Sequence, residues 1–203
     1  MLRKTLAITA MLVVSVVLGP GPGWADGTPV RVRGTVVSLD GSKLIVHTKN
    51  GKDVPVSLKD KYGVLAVVKS SMDQIKQGTF IGTATEPQPD GSLRAIEVVV
   101  FPDALRGMAE GHYPWDLGPK SMMTNATIAN KVQSVDGETV NVTYKGGEQK
   151  ITIPENIPIV GLVPAEHGDV KSGDVVFVPT EKQPDGTLLS GAVLFGRGVV
   201  PPM

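Results

Sequence analysis

Three histidines and one cluster of aromatic, acidic and sulfur-bearing side chains hold most of the chemistry open to this sequence. His112 lies in the run Met108-Ala-Glu-Gly-His-Tyr-Pro-Trp-Asp116, with Met122 and Met123 close behind. Imidazole and thioether donors suit a soft metal such as copper(I), and the rings of Tyr113 and Trp115 offer stacking surface to a small molecule or peptide. Trp115 is the one tryptophan beyond residue 25, and Met108, Met122 and Met123 are three of the five methionines there. The candidate ligand-binding residues are therefore His112, Tyr113, Trp115 and Asp116. The competing reading is that these bulky groups plug a groove between neighbouring domains, as large rings commonly do. His47 alternates with Leu44 and Val46 and is expected to face solvent. His167, in Glu166-His-Gly-Asp169, lacks a recognised ligand spacing. No metal ligands, cofactor or catalytic residues are assigned. The chain has no cysteine, which removes disulfides, thiolate metal sites and a thiol nucleophile. The Gly-x-Ser-x-Gly, His-Glu-x-x-His, phosphate-loop and dinucleotide signatures are all missing.

These residues sit between two copies of one pattern. Val36–Gly41 matches Val132–Gly137, with Ser38, Asp40 and Gly41 each 96 residues before Ser134, Asp136 and Gly137. Ile75-Lys-Gln-Gly78 matches Val170-Lys-Ser-Gly173, and Gln88-Pro-Asp-Gly-Ser-Leu93 matches Gln183-Pro-Asp-Gly-Thr-Leu188, both at a spacing of 95. Three landmarks in one order at a near-constant spacing read as a duplication. Val30, Val32 and Val36 alternate with polar residues as in a half-buried strand, and Ile128 and Val132 stand in the places of Val32 and Val36. Asp-Gly, Asn50-Gly51 and Gly146-Gly147 mark hairpin turns. A short helical piece at Ser71–Ile75, and a weaker one at Glu166–Val170, precede two further strands in each copy.

Three strands, a helical turn and two strands is the element order of an OB-type barrel. The expected fold is all-β: two tandem OB-like five-stranded barrels from an internal duplication, after a cleaved N-terminal signal helix. The boundaries are 1–25 for the signal, 26–101 for the first barrel, 102–125 for a linker and 126–203 for the second barrel. Pro114, between Tyr113 and Trp115, argues against strand pairing in the linker. An ordered loop with Trp115 largely buried is expected instead.

The segment Arg106–Gly118, with Ser121–Thr127 and the ending Val199-Val-Pro-Pro-Met203, resembles a family of small exported proteobacterial proteins of uncharacterised function. Their repeats are OB-like domains of unknown function, and some members carry the label "metal ABC transporter permease". The resemblance implies the same barrels over the mature chain and supplies no catalytic residues. A permease needs several spanning helices of about 20 apolar residues, and no such stretch follows the leader.

Arg3 and Lys4, the apolar run Leu6–Leu18 and the site Gly23-Trp24-Ala25 read as a secretory signal, with the mature chain starting at Asp26. Beyond residue 25 there are 18 basic and 20 acidic residues, so the net charge is −2. The loops between the fourth and fifth strands lack basic and stacking residues, which disfavours nucleic acid. The sequence therefore points to a periplasmic or secreted, non-enzymatic binding protein. Its ligand would be a small molecule, peptide or protein, with no stable membrane insertion. The alternative is periplasmic handling of copper or nickel.

Overall fold

The computed structural model describes residues 28–134 and 137–202. The leader read at 1–25 lies outside the described residues, as does Asp136 of the second hairpin turn. The described residues form twelve strands: β1 (Thr28–Asp40), β2 (Lys43–Thr48), β3 (Asp53–Lys69), β4 (Phe80–Pro87), β5 (Leu93–Val100), β6 (Gly111–Pro114), β7 (Met122–Ser134), β8 (Gly137–Tyr144), β9 (Gly147–Ile153), β10 (Ile159–Ala165), β11 (Val175–Lys182) and β12 (Leu188–Gly196). Three single turns of 3-10 helix sit at 72–74, 103–105 and 167–169. Among the described residues no helix is long and apolar enough to cross a membrane.

A closed five-stranded barrel forms by the pairings β1–β2, β2–β3, β3–β12, β12–β11 and β11–β1. Its inward positions carry Val32, Val36, Leu44, Val46, Val56, Val178 and Val193, all buried in one cluster. Period-two alternation produces this because successive strand residues point to opposite faces. The strands that close it come from 175–196. The hairpin β4–β5 joins β7, β8 and β9 instead, through β4–β7 and a short parallel contact of Leu93 and Arg94 with Ile151 and Thr152. Ile81, Val98, Ile128, Val140, Val142 and Ile151 are buried together there. The expected boundaries 26–101 and 126–203 are corrected accordingly: each set of strands takes three from one segment and a hairpin from the other.

The length of β3 accounts for the exchange. The reading of a strand over Val54–Leu58 stops too soon, because β3 runs 17 residues to Lys69, which at about 3.3 Å per residue carries the chain well past one barrel. The stretch Val64-Leu-Ala-Val-Val68 is apolar on both faces because it is covered on both. Its edges are taken by β12 and by β10, a strand not anticipated. Val67 faces Leu162 in that antiparallel ladder, two residues 95 apart. A third cluster surrounds them: Leu65, Val67, Val99, Val160, Leu162, Phe177 and Leu194.

The correspondence of Val36 with Val132 also needs correction. Val36 is buried while Val132 is 62% exposed. By register, Val36 pairs with Val46 and is followed by a bulge, and Ile128 pairs with Val142 and is followed by a bulge. Val36 and Ile128 thus hold like places in their two hairpins. The last pair of the first hairpin is Asp40 with Lys43 and that of the second is Ser134 with Gly137, so the second hairpin is longer beyond its bulge.

A protease site inserted between Pro119 and Lys120, both exposed, tests the exchange. After cleavage the two pieces should co-elute as one species and part only in denaturant. Pieces that separate under native conditions would overturn the pairing described.

Candidate functional site

The linker is built on Asn125. This residue is 6% exposed, and its Nδ2 lies within hydrogen-bond distance of the carbonyls of Met108 (3.3 Å) and Ala109 (3.1 Å) and of the Tyr113 hydroxyl (3.1 Å). Ala109 is held at φ +47°, a conformation non-glycine residues rarely adopt. On the other side of Asn125 stands Gly82, where a Cβ would come within 2.5 Å of Asn125 Oδ1 and 3.0 Å of Phe101 Cε2. A glycine in β4 thus makes room for the amide that pins the loop. The end of the linker is tied by Trp115 N–H donating to the Ser121 carbonyl at 2.8 Å, and by Gly118 N–H donating to Ser121 Oγ at 3.0 Å.

The expectation of an unpaired loop at Pro114 is corrected. Gly111–Pro114 forms β6, antiparallel to β7, with His112 opposite Thr124 and Tyr113 opposite Met123. Pro114 closes this short edge strand, where a missing N–H costs little. The strand parity then separates the four candidates. Tyr113 and Trp115 face one way, with ring centroids 6.1 Å apart, and Trp115 lies 6.1 Å from Phe177. His112 faces away from them: its Nδ1 is 2.8 Å from Thr124 Oγ1 and its ring stacks on Tyr144. Burial pushes the His112 pKa down. Trp115 is half-buried rather than largely buried, and a guanidinium lies over its ring, with Arg31 Cζ 3.8 Å from the centroid.

Tyr113, Trp115, Phe177, Met123, Leu162 and Leu194 surround a cavity of about 270 Å3 between the two sets of strands. Its wall is almost entirely apolar, and Arg31 lies at its polar side. Beside it, Asp116 accepts two bonds of 2.8 Å from Arg33, and Arg31 Nε is 4.0 Å from the same carboxylate. Burial pushes Asp116 up, but the bonds from Arg33 and the charges of Arg33 and Arg31 outweigh it and hold the carboxyl low. Burial raises the Tyr113 pKa, with Arg31 opposing. Sequence reasoning missed Arg31 and Arg33, which alternate with core valines as any solvated outer face would. It also missed Glu97, although a lone charge in Ala95-Ile-Glu-Val-Val-Val100 was a signal. Glu97 is 2% exposed, and its Oε1 has no hydrogen-bond partner. Burial pushes its carboxyl up to about 7, Arg33 lowers it and Asp116 raises it.

Among the described residues no three His, Asp or Glu side chains converge as metal ligands. No protein-family model, no curated protein and no solved structure matches this chain.

Two outcomes follow. Glu97 is protonated in both folded and unfolded chains at low pH. Between pH 4.5 and about 7 only the unfolded chain releases the proton, so stability falls across that window, by roughly 3 kcal/mol in all. Glu97→Gln should therefore raise the melting temperature at pH 8 and leave it nearly unchanged at pH 4; an equal shift at both would point to shape instead of charge. Gly82→Ala should cost about 1–3 kcal/mol and speed amide exchange at 108–114. Unaltered exchange there would mean that Asn125 does not hold the loop.

Proposed function

We propose that this chain is an exported, non-enzymatic protein that binds a small, mainly apolar molecule in the cleft between its two sets of strands. The observation that carries the reading is the cavity itself, an apolar chamber ringed by Tyr113, Trp115 and Phe177 and walled on one side by the linker. Chambers of this kind, with a few polar groups at one side, are the usual form of small-molecule sites. Export rests on the leader, and a periplasmic or secreted location follows from it. The strand order β1-β2-β3-β12-β11 supports an OB-like barrel, since β11 and β12 stand as fourth and fifth strands. The order β7-β8-β9-β5-β4 supports a second. Matching bulges after Val36 and Ile128, and the 95-residue spacing of Val67 and Leu162, support descent from one duplicated unit.

Copper or nickel handling is the weaker reading. Met108 and Met123 line the cavity, but His112 turns away toward Thr124 and Tyr144. Naphthalene, a neutral apolar probe, separates the two readings through melting temperature, because a ligand that binds only the native state stabilises it. It should stabilise the wild type and His112→Ala alike, and fail to stabilise Ala192→Phe, in which the new ring fills the chamber. Stabilisation by copper(I) or nickel, lost in His112→Ala and without any response to naphthalene, would replace this reading with the metal one.

A further inference from the structure

The polar groups around the cavity are unequal in kind. Thr180 Oγ1 spends its proton on the Val30 carbonyl at 2.7 Å, and the Asn125 amide is spent on the linker. What remains open is donors. Arg31 uses one of its five N–H groups, from Nη2 to the Pro114 carbonyl at 3.2 Å. Trp115 keeps Nε1 buried with no partner. The Tyr113 hydroxyl lies 3.1 Å from Asn125 Nδ2, whose two protons it shares with the Met108 and Ala109 carbonyls. The charges point the same way. Both guanidiniums, Arg31 and Arg33, lie beside Asp116. A half-buried cation with donors to spare, at the side of an apolar chamber, is matched by an acceptor-only anion, and a carboxylate is the planar form that an arginine fork binds best.

We propose that the cavity takes a small apolar carboxylic acid, its hydrocarbon body among Trp115, Phe177, Met123 and Leu162 and its carboxylate toward Arg31. This rests on the binding reading above and names the ligand class for that site. The nearby Glu97, with its carboxyl pushed up to about 7, adds little competing negative charge in mildly acidic solution.

Isothermal titration of the purified protein with decanoate, decanol and decylamine, each below its micelle concentration, tests the class. Decanoate should bind at least tenfold more tightly than decanol, and decylamine more weakly than either. Arg31→Met keeps the hydrocarbon stem and should bring decanoate down to the level of decanol, while Arg31→Lys should keep a preference for the acid. The wild-type comparison stands even if the methionine variant does not fold. Decanol equal to decanoate, with naphthalene still bound, overturns the acid class and leaves the cavity a binding site. If neither naphthalene nor any of the three decyl compounds binds, the cavity reading and the ligand class fall together.

Discussion

The antiparallel ladder between β3 and β10 sets the position of everything else. It fastens the two sets of strands back to back, with Val67 against Leu162 at its middle. Val64–Val67 of β3 and Val160 and Leu162 of β10 are buried, and the two strands are paired on their other edges as well, β3 to β12 and β10 to β5. A backbone so placed has its polar groups satisfied within the sheet, so continuous apolar sequence costs nothing there. From this seam the hairpins β4–β5 and β11–β12 depart into the strands of the other half. Phe177 and Leu194, delivered by β11 and β12, then meet Val99 of β5 across the seam. The cavity is what remains where that packing stops short.

A second constraint places the linker. Residues 101–121 could cross the seam in many ways, but Asn125 accepts one course by bonding two successive carbonyls, Met108 and Ala109. That choice depends on the absence of a side chain at Gly82. The linker then extends the sheet as β6, and β6 turns Tyr113 and Trp115 inward and His112 outward. Arg31 and Arg33 complete the arrangement from β1, through the cation–π contact with Trp115 and the bidentate bond to Asp116. Such contacts contribute modestly one at a time where they are exposed, but here they tie the linker to the barrel strand that flanks the cavity.

How much of this was legible in the chain follows from range. Strand positions and hairpin turns rest on alternation and on Asp-Gly, Asn-Gly and Pro-Asp-Gly turns, which are local signals; most of the expected strands emerge, while β3 runs on to Lys69 and β6 and β10 are additional. Partner choice is not local. Nothing within residues 80–100 distinguishes pairing with β1 from pairing with β7, so contiguous barrels were the natural but mistaken reading. Val132 shows a second limit: a repeated turn motif says nothing of hairpin length or register. Of the four candidate residues, Tyr113, Trp115 and Asp116 do converge, because aromatic bulk in a long connection is a real signal. His112 was grouped with them by proximity in sequence, and strand parity separates it. Arg31 and Arg33 were invisible because an arginine covered by a linker reads like an arginine in water.

The exchange of hairpins also sets an order of events for the chain. Thr180 reaches back to Val30 across 150 positions, and the strands that close around β1–β3 end only at Gly196. The N-terminal half can form its hairpins early, but it has no fourth and fifth strands of its own to use. Closure must wait until nearly the whole polypeptide is present, and the loop that then closes is among the longest the chain allows. High contact order of this kind slows folding more than it weakens the folded state. Until then both halves show open sheet edges, which other copies can pair with.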